Sequence, residues 1–96
     1  MADLISQFFD AIRNDPRVGI SHISVYSALV YYYKKHENKM PFRVYSHQIM
    51  DIAKIATRAT YLKCVADLNE LGYIKYDASF NRNTASRIYL QDLNIT

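Results

Sequence analysis

The chain has 96 residues and a mass of 11.2 kDa, which is the length of one domain and too little for two independent cores. Half of its residues are apolar and 22% are charged, so the composition excludes an intrinsically disordered chain. The net charge of +3 is modest and by itself says little about partners.

The sequence also argues against a membrane or secreted protein. Its longest unbroken apolar run, residues 28–33, is far too short to cross a bilayer, and its first residues lack the basic and apolar regions of a signal peptide. One cysteine, Cys64, can form neither an intrachain disulfide nor a multi-cysteine metal site. We therefore expect a cytoplasmic protein with no membrane contact.

Positive charge is concentrated in the middle of the chain. Residues 34–63 carry seven Lys or Arg against two acidic residues, a net charge of +5, whereas the segments before and after each have a net charge of −1. Such a block is typical of a surface that binds a polyanion, although lysine-rich faces also occur simply for solubility.

Two helices are predicted in the first third of the chain. Apolar residues at steps of three and four predict an amphipathic helix from Ala2 to Asn14, which ends before Pro16. Ser21 is a candidate N-cap for a second helix that reaches about His36. Apolar residues surround most of this second helix, so it is either the central core helix or half of a dimer interface.

A short strand and two more helices follow. Residues 42–45 alternate as in a strand, and Ser46 is a candidate N-cap for a third helix. Thr57 is the candidate N-cap of a fourth helix, from Arg58 to about Leu71, with Gly72 in the usual capping place beyond its end. The inner side of the third helix is predicted to carry Ile49, Ile52, Ala53 and Ala56.

The chain ends in a predicted β-hairpin. Residues 73–76 and 86–90 have strand character, and the segment between them is polar, which predicts an extended tip. The order helix, helix, strand, helix, turn, helix, hairpin indicates a winged helix-turn-helix, mainly α, with about four helices and a two- to three-stranded antiparallel sheet. We expect one domain over residues 1–96, in which residues 1–19 form an N-terminal helix and connector that can dimerise. The expected core consists of Phe8, Phe9, Ile23, Leu29, Tyr32, Ile49, Ile52, Tyr61, Val65, Leu68 and Ile88.

Residues 52–74 resemble the bacterial winged-helix pattern. Thr57-Arg58-Ala59-Thr60 matches the start of a recognition helix, and the segment from Leu68 to Ile74 matches the passage into the wing. More closely, residues 20–90 resemble small winged-helix proteins of Bacteroidetes that are described as transcriptional regulators or linked to mobile elements. The further matching features are Ile20-Ser21-His22, Thr60-Tyr61-x-Lys63-Cys64, Leu71-Gly72-Tyr73-Ile74-Lys75-Tyr76 and Ser79-Phe80-Asn81.

The resemblance implies binding of double-stranded DNA through the fourth helix. Arg58 and Lys63 can reach phosphates or guanine edges, unless they are merely solvated, and Ala59 and Thr60 are small enough for close approach. Arg82 lies in a polar wing tip, which is suited to a minor groove or a phosphate but equally to a soluble loop. The candidate DNA-binding residues are Arg43, Lys54, Thr57, Arg58, Ala59, Thr60, Leu62, Lys63, Arg82 and Arg87.

Two features depart from a DNA-reading helix. Leu62 occupies an outward position where polar residues are usual; it can contact a thymine methyl group or a protein partner. Asp67 and Glu70 make the second half of the helix acidic, and they would have to point away from phosphate. The alternative function is therefore a winged-helix module that binds protein in a replication or excision complex.

No catalytic or metal-binding spacing is found among the histidines and Cys64. His22 and His47 follow N-cap candidates and are predicted to face solvent, whereas Cys64 is predicted to be a small buried hydrophobe. We expect no enzyme, no cofactor, no metal and no small-molecule effector. The expected function is that of a sequence-specific DNA-binding homodimer, either a bacterial transcriptional regulator or a mobile-element accessory factor.

Overall fold

The computed structural model describes residues 3–78 and 85–91. This part of the chain forms four helices and three strands: α1 (Leu4–Ile12), α2 (Ile20–Lys35), β1 (Phe42–Val44), α3 (Ser46–Ala53), α4 (Arg58–Glu70), β2 (Ile74–Asp77) and β3 (Ser86–Leu90). The strands lie in the order β1-β3-β2, and both pairings are antiparallel. The predicted fold class is confirmed: the protein is mainly helical with a small sheet, in a layout compatible with a winged helix.

Helix α1 is shorter than predicted and rests on α2 through aromatic rings. It begins after Asp3, whose carboxylate accepts a hydrogen bond from the Ser6 amide at 2.8 Å. The ring of Phe8 is buried and stacks on Tyr26 of α2, with 3.9 Å between ring centroids. The next residue, Phe9, is 42% exposed, so its predicted burial is wrong. Adjacent residues on a helix face different directions, and of these two phenylalanines Phe8 is the one that faces the core.

Helix α2 is the central core helix, since it packs against α1, α3 and α4. It begins at Ile20 and has Gly19 as its N-cap, so the prediction of Ser21 in that role is wrong. Gly19 has no side chain to cap the helix, and the Nδ1 atom of His22 instead accepts the Gly19 amide at 2.9 Å. In the second turn of α2, the Ser24 hydroxyl donates to the carbonyl of Ala53 and ties α2 to the end of α3.

Helix α3 is also displaced at its start, by one residue, and ends earlier than predicted. Tyr45 is its N-cap instead of Ser46, and the Tyr45 amide donates to the side chain of Gln48 at 2.9 Å. Lys54 then adopts the left-handed conformation, with φ of 60°, and this stops the helix at Ala53. Ala56 therefore lies in the turn and is exposed, so the prediction that it faces the core is wrong.

The sequence signals at both ends of α4 are confirmed. The hydroxyl of Thr57 accepts a hydrogen bond from the Thr60 amide at 3.2 Å, as an N-cap does. Gly72 follows the helix with φ of 88°, a conformation that glycine adopts without steric cost.

The sheet has one buried and one exposed face, because side chains alternate along each strand. Ile88 of β3 lies opposite Phe42 of β1, and on its other side opposite Tyr76 of β2. In the next row, Arg87 lies between Arg43 and Asp77 on the exposed face.

The core joins the inner face of the sheet to α2, α3 and α4. Seven of the predicted core residues are buried, and Ile23, Tyr32 and Ile52 are partly buried and packed against them. The seven are Phe8, Leu29, Ile49, Tyr61, Val65, Leu68 and Ile88. Within the described ranges, no helix is long and apolar enough to cross a membrane.

We expect replacement of Tyr26 by phenylalanine to raise the free energy of unfolding by about 1 kcal/mol. The Tyr26 hydroxyl is buried and has no hydrogen-bond partner in the described part of the chain, and burial raises the pKa of this phenol to about 12. The substitution removes the desolvated hydroxyl and keeps the ring stacked on Phe8. Urea unfolding of both proteins measures the change; a loss of more than about 1 kcal/mol would show that the hydroxyl has a partner in solution.

Candidate nucleic-acid interface

Helices α3 and α4 pack against each other and are joined by residues 54–57. The left-handed Lys54 reverses the chain, and the Ile55 amide donates back to the Met50 carbonyl at 3.0 Å. The left-handed conformation of Lys54 and this hydrogen bond fix the turn without any glycine. The result is a helix-turn-helix in which the side chain of Lys54 is exposed directly before α4.

The N-terminus of α4 is arranged to receive an anion. The Thr57 hydroxyl accepts from the Thr60 amide and also lies 2.9 Å from the Thr60 hydroxyl. The first helical amides, those of Arg58 and Ala59, have no intrahelical acceptor and point outward from the helix end. Together with the positive end of the helix dipole, they favour a phosphate oxygen.

The two cationic side chains of α4 that were predicted to bind DNA, Arg58 and Lys63, differ in whether they form an ion pair. Arg58 is exposed and forms no ion pair with any described residue. Lys63 is also exposed, but its ammonium lies 3.3 Å from the Asp67 carboxylate one turn further on. Arg58 is thus the freer of the two to contact a ligand.

One of the two acidic side chains that argued against phosphate binding, Asp67, is directed toward α2, whereas Glu70 is exposed. The Asp67 carboxylate accepts from Nε2 of His22 at 2.9 Å, and this imidazole must carry its proton on Nε2 because Nδ1 accepts from Gly19. The His22 hydrogen bond and then the Lys63 ammonium lower the pKa of Asp67. His22 is partly buried in this contact, so its predicted exposure to solvent is wrong.

The outer face of α4 has an apolar stripe formed by Ala59, Leu62 and Ala66, all of which are exposed. Leu62 is 37% exposed, as its outward position predicted. On the flank toward the sheet, the side chain of Asn69 accepts from the Tyr76 amide at 2.9 Å and ties α4 to β2. This last contact was not found from the sequence, because it joins a helix to a strand through a side chain with no distinctive local pattern.

A second group of predicted residues lies on the exposed face of the sheet. Arg43 and Arg87 are directly opposite each other on β1 and β3, and Arg87 forms an ion pair with Asp77 on its other side. Arg43 forms no ion pair with a described residue. Arg82, the predicted contact of the wing tip, lies outside the described residues.

Two surface depressions flank the helix-turn-helix. One, of about 440 Å³, is next to the turn and is lined by His47, Met50, Asp51, Lys54, Ile55 and Ala56. The other, of about 430 Å³, is at the C-terminal half of α4 and is lined by Arg17, Asp67, Glu70 and Leu71. His47 is exposed, as predicted. Across residues 3–78 and 85–91, no group of three or more His, Cys, Asp or Glu side chains could hold a metal ion.

A polar contact that the sequence did not reveal fixes the connector before α2. The Asp15 carboxylate accepts from the Tyr73 hydroxyl at 2.8 Å and from the Arg17 guanidinium at 2.8 Å. The hydrogen bond from Arg17, which has the larger effect, and the one from Tyr73 hold the pKa of Asp15 well below its usual range. Cys64 is buried as predicted, and burial raises the pKa of its thiol, which makes it a poor nucleophile.

The predicted site residues thus form two groups. Lys54, Thr57, Arg58, Ala59 and Thr60 lie together at the turn and the start of α4, and Arg43 and Arg87 lie together on the sheet. Comparison with family models, with curated proteins and with solved structures finds no match to the chain.

Proposed function

We propose that this protein binds double-stranded DNA in a sequence-specific manner, as a bacterial transcriptional regulator or a mobile-element accessory factor. The observation that carries the proposal is the start of α4, where Arg58, Ala59 and Thr60 are exposed close to Lys54 and the first two helical amides have no intrahelical acceptor. This combination offers charge, directional donors and a helix end at one point, which is what a phosphate and a base edge require.

Helix α4 can enter a major groove without loss of its packing. Tyr61, Val65 and Leu68 hold its inner face in the core, and its exposed side carries Ala59 and Ala66 together with the charged side chains of Lys63 and Glu70. The helix has 13 residues and is about 20 Å long, so its first two turns can contact bases while the last turn remains outside. Asp67, held by His22, is directed away from that contact.

The row Arg43–Arg87–Asp77 supplies a second backbone contact. Like charges directly opposite each other on neighbouring strands destabilise a sheet, and the Asp77 carboxylate compensates only one of the two guanidinium groups. A phosphate of the DNA backbone compensates the other. The row lies at the end of β2 and the start of β3, the part of a winged helix that is near the DNA backbone.

We further propose that the protein acts as a homodimer in the cytoplasm, since two half-sites double the number of base contacts. The exposed apolar side chains of Phe9 on α1 and Ile20 at the start of α2 are 42% and 86% exposed, and a second copy would cover them. Sedimentation equilibrium at micromolar concentration is expected to give twice the chain mass of 11.2 kDa. The double variant Phe9→Ser with Ile20→Ser is expected to shift the protein toward the mass of a single chain. A wild-type protein that remains monomeric under these conditions would contradict the dimer.

The function is tested by selection from a pool of DNA duplexes with a randomised central segment. We expect repeated rounds to enrich a common motif, and a fixed duplex with that motif to bind at least about 1000-fold more tightly than a scrambled one, which is the lower end of specific recognition. A pool that shows no enriched motif, in the presence of measurable duplex binding, would leave only non-specific DNA binding. A pool that shows no binding at all would contradict the proposed function.

A further inference from the structure

We infer that Leu62 reads the methyl group of thymine, so that the sequence recognised by this protein has thymine under the middle of α4. The inference rests on the proposed function, because it needs α4 in the major groove. It names the specificity-determining side chain and the chemical group that this side chain recognises.

The position of Leu62 on the helix is the first part of the argument. Residues 59, 62 and 66 are spaced by three and four and therefore lie on one side of α4, outside the buried face formed by Tyr61, Val65 and Leu68. Leu62 is the one large side chain among these three exposed residues, with alanine before and after it. It is therefore the large apolar group that this side of α4 offers to a base edge.

Three polar side chains near Leu62 are held in contacts within the protein, which is the second part of the argument. Lys63 pairs with Asp67, and Asp67 also holds His22. Asn69 accepts from the amide of Tyr76. Readout through Lys63, Asp67 or Asn69 would break existing contacts, whereas apolar readout through Leu62 breaks none. In the major groove, the C5 methyl of thymine is the apolar group that a base edge presents.

Charge determines which partner fits this apolar stripe. Lys54 and Arg58 lie before it, at the positive end of the helix dipole, and neither forms an ion pair with a described residue. Those cations favour a polyanion over a protein surface, and one leucine between two alanines offers far less apolar area than the 20–30 residues of a standard protein interface. Duplex DNA satisfies both the charge and the size of the stripe.

The test replaces single thymines in the selected duplex by deoxyuridine, which removes the methyl group and changes nothing in base pairing. We expect one or two positions at which this weakens wild-type binding about fourfold, the effect of burying one methyl group. Leu62→Ala is expected to bind the thymine duplex about fourfold to tenfold more weakly than wild type does. This variant is expected to bind the thymine and deoxyuridine duplexes with equal affinity. Leu62→Met, which keeps an apolar side chain at this exposed position, is expected to retain the preference for thymine.

The outcomes separate this inference from the proposed function. If wild type binds the selected duplex tightly but is indifferent to every deoxyuridine substitution, the DNA-binding function stands and the reading of thymine is overturned. If Leu62→Ala keeps the full wild-type preference for thymine, another side chain reads the methyl group and the role of Leu62 is overturned. If Leu62→Ala binds the duplex as tightly as wild type, Leu62 makes no contact with the duplex and its proposed role is overturned. If no duplex binds at all, both proposals fail.

Discussion

Replacing Leu68 by alanine is expected to lower the free energy of unfolding by about 2–5 kcal/mol, the range found for buried leucines. Leu68 is fully buried on the inner face of α4, where that helix packs against α2 and β2. Its carbonyl also accepts the Tyr73 amide at 2.9 Å, at the point where the chain leaves the helix for the wing. The cavity left by alanine lies among residues from several elements and cannot be filled by moving a single one.

Leu62→Ala is the matched control, because it makes the same chemical change at an exposed position of the same helix. Leu62 is 37% exposed, and we expect its truncation to change the unfolding free energy by no more than about 0.5 kcal/mol. Both variants are measured by urea unfolding with wild type alongside. An unchanged midpoint for Leu68→Ala would mean that α4 presents a different face to the core.

Reversing the charge of Lys54 and Arg58 together is expected to weaken duplex binding by at least about 100-fold, since charge-assisted contacts contribute about 1.5–3 kcal/mol each. Lys54→Glu and Arg58→Glu remove two cations at the start of α4 and place two carboxylates in front of the outward amides. The slope of the logarithm of the affinity against the logarithm of the salt concentration is expected to become less negative by about two for each protomer, because two phosphate contacts are lost.

The control for net charge is the double variant Arg13→Glu with Lys39→Glu. Arg13 follows the end of α1, and Lys39 lies in the loop before β1, next to Met40, whose sulfur contacts Leu90 at the end of the sheet away from the hairpin tip. We expect this variant to bind DNA much more tightly than the Lys54→Glu and Arg58→Glu protein. Equal losses for the two double variants would mean that net charge alone controls binding, and would remove α4 from the interface.

The order and type of the elements could be predicted because periodicity and turn residues are local signals. The alternation of apolar residues indicated the strands, and Thr57 and Gly72 marked both ends of α4 through side-chain and backbone chemistry confirmed in the structure. Two other helix starts were misplaced, that of α2 by two residues and that of α3 by one. Gly19 and Tyr45 are N-caps without a capping side chain of their own, and His22 and Gln48 reach back to their amides instead. A serine shortly after the true N-cap was a misleading signal in both cases.

The long-range contacts of the site could not be predicted from local patterns. His22 and Asp67 are 45 residues apart in sequence, and their hydrogen bond depends on how α2 packs against α4. The same packing directs Asp67 away from the proposed DNA surface, whereas Glu70 is exposed, so the objection from acidic side chains is answered for one of the two residues. The other objection, the exposed Leu62, stands as predicted from its helical position.

The most direct test of DNA binding is a titration of the protein with random-sequence duplex at several salt concentrations. Lys54, Arg58 and Arg43 in each of two protomers correspond to about six neutralised phosphates, for which we expect the logarithm of the affinity to fall with the logarithm of the salt concentration with a slope of about −5. The selected duplex is expected to show a similar slope at a higher affinity. The absence of salt-dependent binding to any duplex would contradict the proposed function.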